Sequence, residues 1–121
     1  MLSHTVFTAV VCFAALCEPM ELRVWDGDTL RIGGEPVRIM NVDTPEIGDK
    51  ARCRSEGARA VKAKDRLAEL LQSGKVRVTA HGRDKYRRTL AVISVRGRDV
   101  GDTLVAEGLA RTWSGRREPW C

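Results

Sequence analysis

Pro36-Val37-Arg38-Ile39-Met40-Asn41-Val42 alternates in the manner of a strand and runs directly into Asp43-Thr44-Pro45-Glu46, an acidic turn broken by proline. Alternation puts Val37 and Ile39 on one face and Arg38, Met40 and Val42 on the other. Upstream, Glu21 to Trp25 and Thr29 to Ile32 alternate in the same way, separated by Asp26-Gly27 and followed by Gly33-Gly34, both strong turn signals. The three segments predict an antiparallel meander. Downstream the period changes. Between Ser55 and Gly74, Ala60, Ala63, Leu67, Leu70 and Leu71 recur at helical spacing, with Ser55 as N-cap, Glu56 in the first turn and Gly74 as the terminating glycine.

Lys75 to Ala80 and Thr89 to Val95 predict two further strands, joined by the basic loop His81 to Arg88. A shorter helix is expected from Val100 to Glu107, stopped by Gly108. The tail from Leu109 to Cys121 has no clear period. A mainly β chain of five short strands, with one helix between the third and fourth and a second near the end, is the order of a five-stranded oligonucleotide-binding (OB) barrel. Closing the sheet removes its exposed edges. Such barrels carry oligonucleotides or oligosaccharides, so the fold alone does not choose the ligand.

The chain has 121 residues, enough for one domain on one core and too few for two. Its net charge of +5 favours an anionic partner. Residues 1–17 contain no Lys, Arg, Asp or Glu, and Val6 to Cys17 form an apolar run too short to span a bilayer. The run has the length of a signal-peptide core, so residues 1–17 are read as a leader and 18–121 as the mature domain, secreted or periplasmic and without stable membrane insertion. The competing reading is an apolar strand or helix retained in the protein. Removal of residues 1–17 would leave Cys53 and Cys121, an even pair that in an oxidising compartment invites a disulfide; two free thiols are the alternative. Without a Cys-x-x-Cys, and with His81 the only histidine outside the leader, a zinc site is not expected. The Arg and Lys residues of the long helix, including Arg59, Lys62, Lys64 and Arg66, suit a solvated face, with nucleic-acid contact as the alternative.

Asp26-Gly27-Asp28-Thr29, Arg38, Val42-Asp43-Thr44-Pro45-Glu46 and Asp84-Lys85-Tyr86-x-Arg88 occur in the order and spacing of the staphylococcal (micrococcal) nuclease family. With Val100-x-x-x-Leu104-Val105 and Gly108-Leu109-Ala110, the resemblance runs from about Val24 to Ala110. It implies a calcium-dependent, sugar-nonspecific endonuclease acting on DNA and RNA, single strands preferred, as a monomer, and leaving 3′-phosphate ends. Calcium takes several hard oxygen ligands at flexible distances. The resemblance implies Asp28, Asp43 and the Thr44 carbonyl as direct ligands, with Asp26 and Glu46 acting through water.

Phosphodiester hydrolysis adds negative charge to the equatorial oxygens, which planar guanidinium forks match well. Arg38 and Arg88 resemble the family's catalytic arginines. Glu46 is the expected general base, and Lys85 and Tyr86 the expected substrate contacts. Arg87 stands where the family has glycine, so a left-handed backbone is expected to be strained there. The family's base-stacking tyrosine falls at Ser114, with Trp113 one residue before; Trp113 stacks on a base or packs on the barrel. The rival class for the whole chain is a non-catalytic barrel that only binds single-stranded nucleic acid.

Overall fold

The structure, a computed structural model, describes residues 5–116 and 118–121, apart from the side chain of Asp49. Among the described residues nine strands are found: β1 (Thr5–Phe13), β2 (Leu16–Asp26), β3 (Thr29–Ile32), β4 (Glu35–Ile39), β5 (Val42–Asp43), β6 (Val76–Arg83), β7 (Thr89–Val95), β8 (Arg98–Asp99) and β9 (Arg111–Thr112). Helix α1 (Arg54–Leu71) lies between β5 and β6, and α2 (Val100–Ala106) follows β8. The main sheet runs β4-β3-β2-β1-β6-β7-β8, and a β4–β7 pairing closes it into a barrel. This is the mainly β, two-helix OB barrel expected. Its closed ring has six strands, one more than the expected five, with β8 appended to β7 and the short β5–β9 pair outside the ring.

The additional strand is β1. It pairs antiparallel with β2 from Thr5↔Val24 to Phe13↔Leu16, and parallel with β6 through Val11↔Val76 to Phe13↔Val78. It therefore separates β2 from β6 within the ring. Val11 and Cys12 are fully buried, and Cys12 is disulfide-bonded to Cys17 across the hairpin end. The stretch that resembles a leader in composition thus forms a barrel strand here.

Buried residues of the ring strands, among them Leu22, Val24, Leu30, Ile39, Val78 and Ile93, fill the interior against Leu67 and Leu71 of α1 and Leu104 of α2. The apolar stripe of α1 faces the core as its period predicts. Its polar side is less uniform than expected. Arg59 and Lys62 are exposed and Lys64 is buried. Arg66 forks onto both carboxylate oxygens of Glu107 at 2.7 and 2.8 Å and also pairs with Glu69, so it ties α1 to the end of α2. The bond from Arg66 holds the Glu107 carboxyl below the usual carboxylate range.

Helix α1 begins one residue before Ser55, with Cys53 as N-cap, and ends at Leu71. Gly74 does not terminate it in a left-handed turn. A β-carbon there would stand 3.2–3.3 Å from Arg96 and Val95 side-chain atoms, so this glycine allows a close approach instead. Gly108 does adopt a left-handed conformation after α2, with φ 76°. Among the described residues no helix is long and apolar enough to cross a membrane.

The tail is held at three points. Val42 and Asp43 pair with Thr112 and Arg111, Trp120 is buried beneath the Arg111 guanidinium at 3.8 Å, and Cys121 is bonded to Cys53. This disulfide joins residues 68 apart in sequence, a loop whose closure in the unfolded chain contributes about 4 kcal/mol in the chain-entropy account. Cys53→Ser is expected to lower unfolding free energy by about 2–4 kcal/mol, measured by urea denaturation under oxidising conditions. A variant as stable as the parent would show that the link adds nothing to the fold.

Candidate active site

The hairpin between β2 and β3 brings Asp26 and Asp28 to one end of the barrel. Gly27 stands between them where a β-carbon would come within 2.8 Å of Ala63 of α1 and of the Thr44 side chain. Only glycine lets α1, the hairpin and the acidic turn approach so closely. The consequence is a direct bond: the Thr44 main-chain N–H donates to Asp28 Oδ2 at 3.1 Å, and Asp28, Asp43 and Thr44 are all buried.

Next along the sheet, Thr29 of β3 pairs with Arg38 of β4. This register sets the Arg38 guanidinium 3.5 Å from Asp28 Oδ2, with a further bond to the Ile39 carbonyl. Beyond it, β4 pairs in parallel with β7, which begins just after Arg88. The loop carrying Arg88 is organised by Asp84, to which the expectations above gave no role. Asp84 Oδ1 accepts from the Tyr86 and Arg88 main-chain N–H groups, each at 2.9 Å, and its Oδ2 accepts from Arg88 Nε at 2.7 Å. Partial burial would push the Asp84 carboxyl up, but these bonds outweigh it and hold the carboxyl below the usual range. An aspartate that bonds its own loop two and four residues on is a local turn signature that the sequence does contain.

Arg87 has φ 65°, in the left-handed region, so the strain expected of an arginine in that conformation is present. That conformation costs a side chain roughly 1–2 kcal/mol, against roughly 0.5–1 kcal/mol for the extra freedom glycine loses on folding. Arg87→Gly is therefore expected to raise unfolding free energy by about 0.5–1 kcal/mol, read as a higher midpoint in urea with an unchanged slope. A lowered midpoint would mean that the arginine side chain contributes more than its backbone costs.

Asp26, Asp28, Arg38, Asp43, Glu46 and Arg88 all line one cavity of about 670 Å³, with Lys50, Tyr86 and Trp113 among the other lining residues. Lys85 stands beside it, its ammonium 5.2 Å from the Tyr86 ring. Trp113 faces the cavity, 41% exposed, with the Arg38 guanidinium 5.7 Å from its ring, whereas Trp120 is the tail tryptophan that packs. Tyr86 is 67% exposed beneath the Arg88 guanidinium at 5.3 Å.

One further residue holds the site. Glu56, in the first turn of α1, is buried, and its two oxygens accept from the main-chain N–H groups of Glu46 at 2.9 Å and Arg52 at 2.8 Å. It fastens the segment after the acidic turn to the helix start. From the sequence, Glu56 is no more than an acidic residue in the first helical turn.

Among the described residues no group of three or more His, Cys, Asp or Glu side chains is arranged to hold a metal ion. The donor chemistry nevertheless suits a hard cation, because two carboxylates and a main-chain carbonyl, completed by water, are oxygen ligands of the kind calcium takes. The electrostatics agree. Burial first, and the neighbouring Asp28 and Glu46 carboxylates after it, leave Asp26 pushed up to about 8, a crowding of like charge that a cation relieves.

Comparison with known proteins finds a matching family and several relatives. Residues 36–119 match the model of a family described as staphylococcal nuclease homologue. Over 97 residues, 74% of this chain, it is 40% identical to endonuclease YncB of Bacillus subtilis and covers 44% of that protein. It is 39% identical to the SPbeta prophage-derived endonuclease YokF of the same organism, covering 32% of it, and 31% identical over 89 residues to an uncharacterized endonuclease of Haemophilus influenzae, covering 48%. The chain spans about half or less of the length of these relatives.

Proposed function

The chain belongs to the staphylococcal nuclease family, and from that premise we propose that it is a calcium-dependent, sugar-nonspecific endonuclease hydrolysing phosphodiester bonds of DNA and RNA, single strands preferred, to 3′-phosphate ends. The observation that carries the reading is the convergence of three aspartates, a glutamate and two arginines from separate strands and loops on one open cavity. A barrel that merely bound nucleic acid would gain from the arginines and would be opposed by the carboxylates. Catalysis explains both.

In this reading Asp28, Asp43 and the Thr44 carbonyl would hold calcium, with Asp26 and Glu46 acting through water. When bound, the cation supplies Lewis-acid polarisation of a phosphoryl oxygen. The protein's own groups do the rest. Arg38 and Arg88 donate to the phosphoryl oxygens as negative charge grows on them in the transition state. Glu46 orients the attacking water and takes its proton, held in place through its own main-chain N–H by Glu56. Lys85 and Tyr86 bind a neighbouring phosphate, and Trp113 stacks on a base. Most of the binding energy is directed at phosphate, so affinity falls steeply with salt. The two cysteine pairs suit an oxidising compartment, and we place the protein outside the cytoplasm, acting as a monomer.

The test is cleavage of a single-stranded DNA by the purified chain with calcium, with magnesium and with chelator, from neutral pH to about pH 10, where lysine begins to titrate. Cleavage with calcium that chelator abolishes is expected. Glu46→Gln is expected to be nearly inert while still binding calcium. If the parent chain binds the DNA but cleaves it under none of these conditions, the binding-only reading replaces this one.

A further inference from the structure

We propose that Trp25 and Arg31 form an additional nucleotide subsite at the β2–β3 side of the cleft, where a base of a single-stranded substrate stacks on Trp25 and an adjoining phosphate meets Arg31. The inference rests on the nucleic-acid reading above and extends the site beyond Tyr86, Arg88 and Trp113.

β2 and β3 pair as Val24↔Leu30 and then as Asp26↔Thr29, so Trp25 is the extra residue of a β-bulge. In a regular strand Trp25 and Asp26 would point to opposite faces. Here both line the same cavity. Bulges re-aim side chains next to active sites, and this one adds a large ring, 37% exposed, to a cleft that already holds the acidic pair.

Arg31 completes the platform. Its neighbours Leu30 and Ile32 are buried, so alternation turns Arg31 outward onto the face that carries Trp25. Its guanidinium lies 5.2 Å from the Trp25 ring, and Nη1 donates to the Gly34 carbonyl at 2.7 Å. The cation is thereby fixed beside the ring with other donors still available to a phosphate. The same pairing of ring and guanidinium occurs twice more around the cavity, at Trp113 with Arg38 and at Tyr86 with Arg88.

Spacing separates the subsite from the scissile position. In the sheet order β2-β3-β4-β7, Trp25 and the Arg88 loop stand three strand intervals apart, about 14 Å. A dinucleotide held at Tyr86 and Arg88, on that loop, does not span the distance, whereas a decanucleotide does, and OB barrels engage roughly 4–16 nucleotides.

The experiment measures binding of oligothymidylates of two and ten residues to the full chain in chelator, which prevents cleavage, together with calcium-dependent cleavage by the parent chain. Trp25→Leu is expected to weaken decamer binding about 10-fold and leave dimer binding unchanged. Arg31→Gln removes a cation at the β3 side of the cleft that is held by the Gly34 carbonyl and the Trp25 ring. It is expected to weaken the decamer several-fold and to lower the salt slope by about one. If both variants bind the decamer like the parent while the parent still cleaves it, the subsite is refuted and the nuclease reading stands. If the parent neither binds nor cleaves the decamer, the underlying reading fails and the subsite with it.

Discussion

Arg88→Lys is expected to lower turnover on single-stranded DNA by about 10²–10³-fold while the protein stays folded, the loss typical of removing one preorganised donor to transition-state charge. The geometry explains why the positive charge alone is insufficient. Arg88 gives Nε to Asp84 Oδ2 at 2.7 Å, so its plane is set by the loop before substrate arrives, and its terminal amino groups remain as a fork. A lysine can pair with Asp84 or reach the phosphate, but its single ammonium cannot do both with fixed direction. Stability should change by no more than about 1 kcal/mol, because the pair is partly exposed, with side chains 29% and 16% accessible. Initial rates under saturating calcium, paired with a urea melt, check both halves. Turnover within a few-fold of the parent would remove Arg88 from the chemistry.

The second large effect concerns stability. Glu56→Ala is expected to cost about 2–4 kcal/mol of unfolding free energy, since it strips the Glu46 and Arg52 main-chain N–H groups of their acceptor in a buried place, at roughly 1–3 kcal/mol for each such group. Glu56→Gln retains one carbonyl oxygen but turns an amide donor toward one of the N–H groups, so it should recover less than half of the loss. Turnover should fall in both variants at temperatures where they remain folded, because Glu46 is then held less firmly. A change below about 0.5 kcal/mol in urea unfolding would show that the two N–H groups find other partners.

Much of this architecture can be read from the chain, and what cannot be read has identifiable reasons. Helix α1, the β3–β4 meander and the acidic turn carry their own local signals, in the spacing of Ala60 to Leu71, in Gly33-Gly34 and in Pro45. The candidate site was legible because its charged groups sit next to turn residues that mark where they lie. Strand β1 was not legible as a barrel element. An apolar run of that length suits a leader or a buried strand equally, and the residues that pair with it, from Leu16 to Val24 and from Val76 to Val78, lie outside most of the run. The bulge at Trp25 is a difference of register between two strands, which neither strand records alone. Glu56 looks like any acidic residue in a first helical turn, and its role depends on a loop folding back over it. The short β5–β9 pairing joins two-residue segments too brief to have a period.

The barrel's two closing seams also bear on how the protein is made. Both are parallel pairings between segments far apart in the chain, β1 with β6 and β4 with β7, whereas β1 to β4 are joined to one another by short hairpins. During synthesis the hairpins can form as soon as they emerge, but the ring cannot shut until β7 has left the ribosome. Until then β4 is an open edge, and β1 is another until β6 emerges, with unpaired main-chain groups, the condition in which strands recruit those of other chains. Pairings between distant segments are also the slow ones to form. A ribosome that stalls before Thr89 would therefore hold out a sheet with two adhesive edges, and yield of folded protein should depend on how quickly translation passes that point.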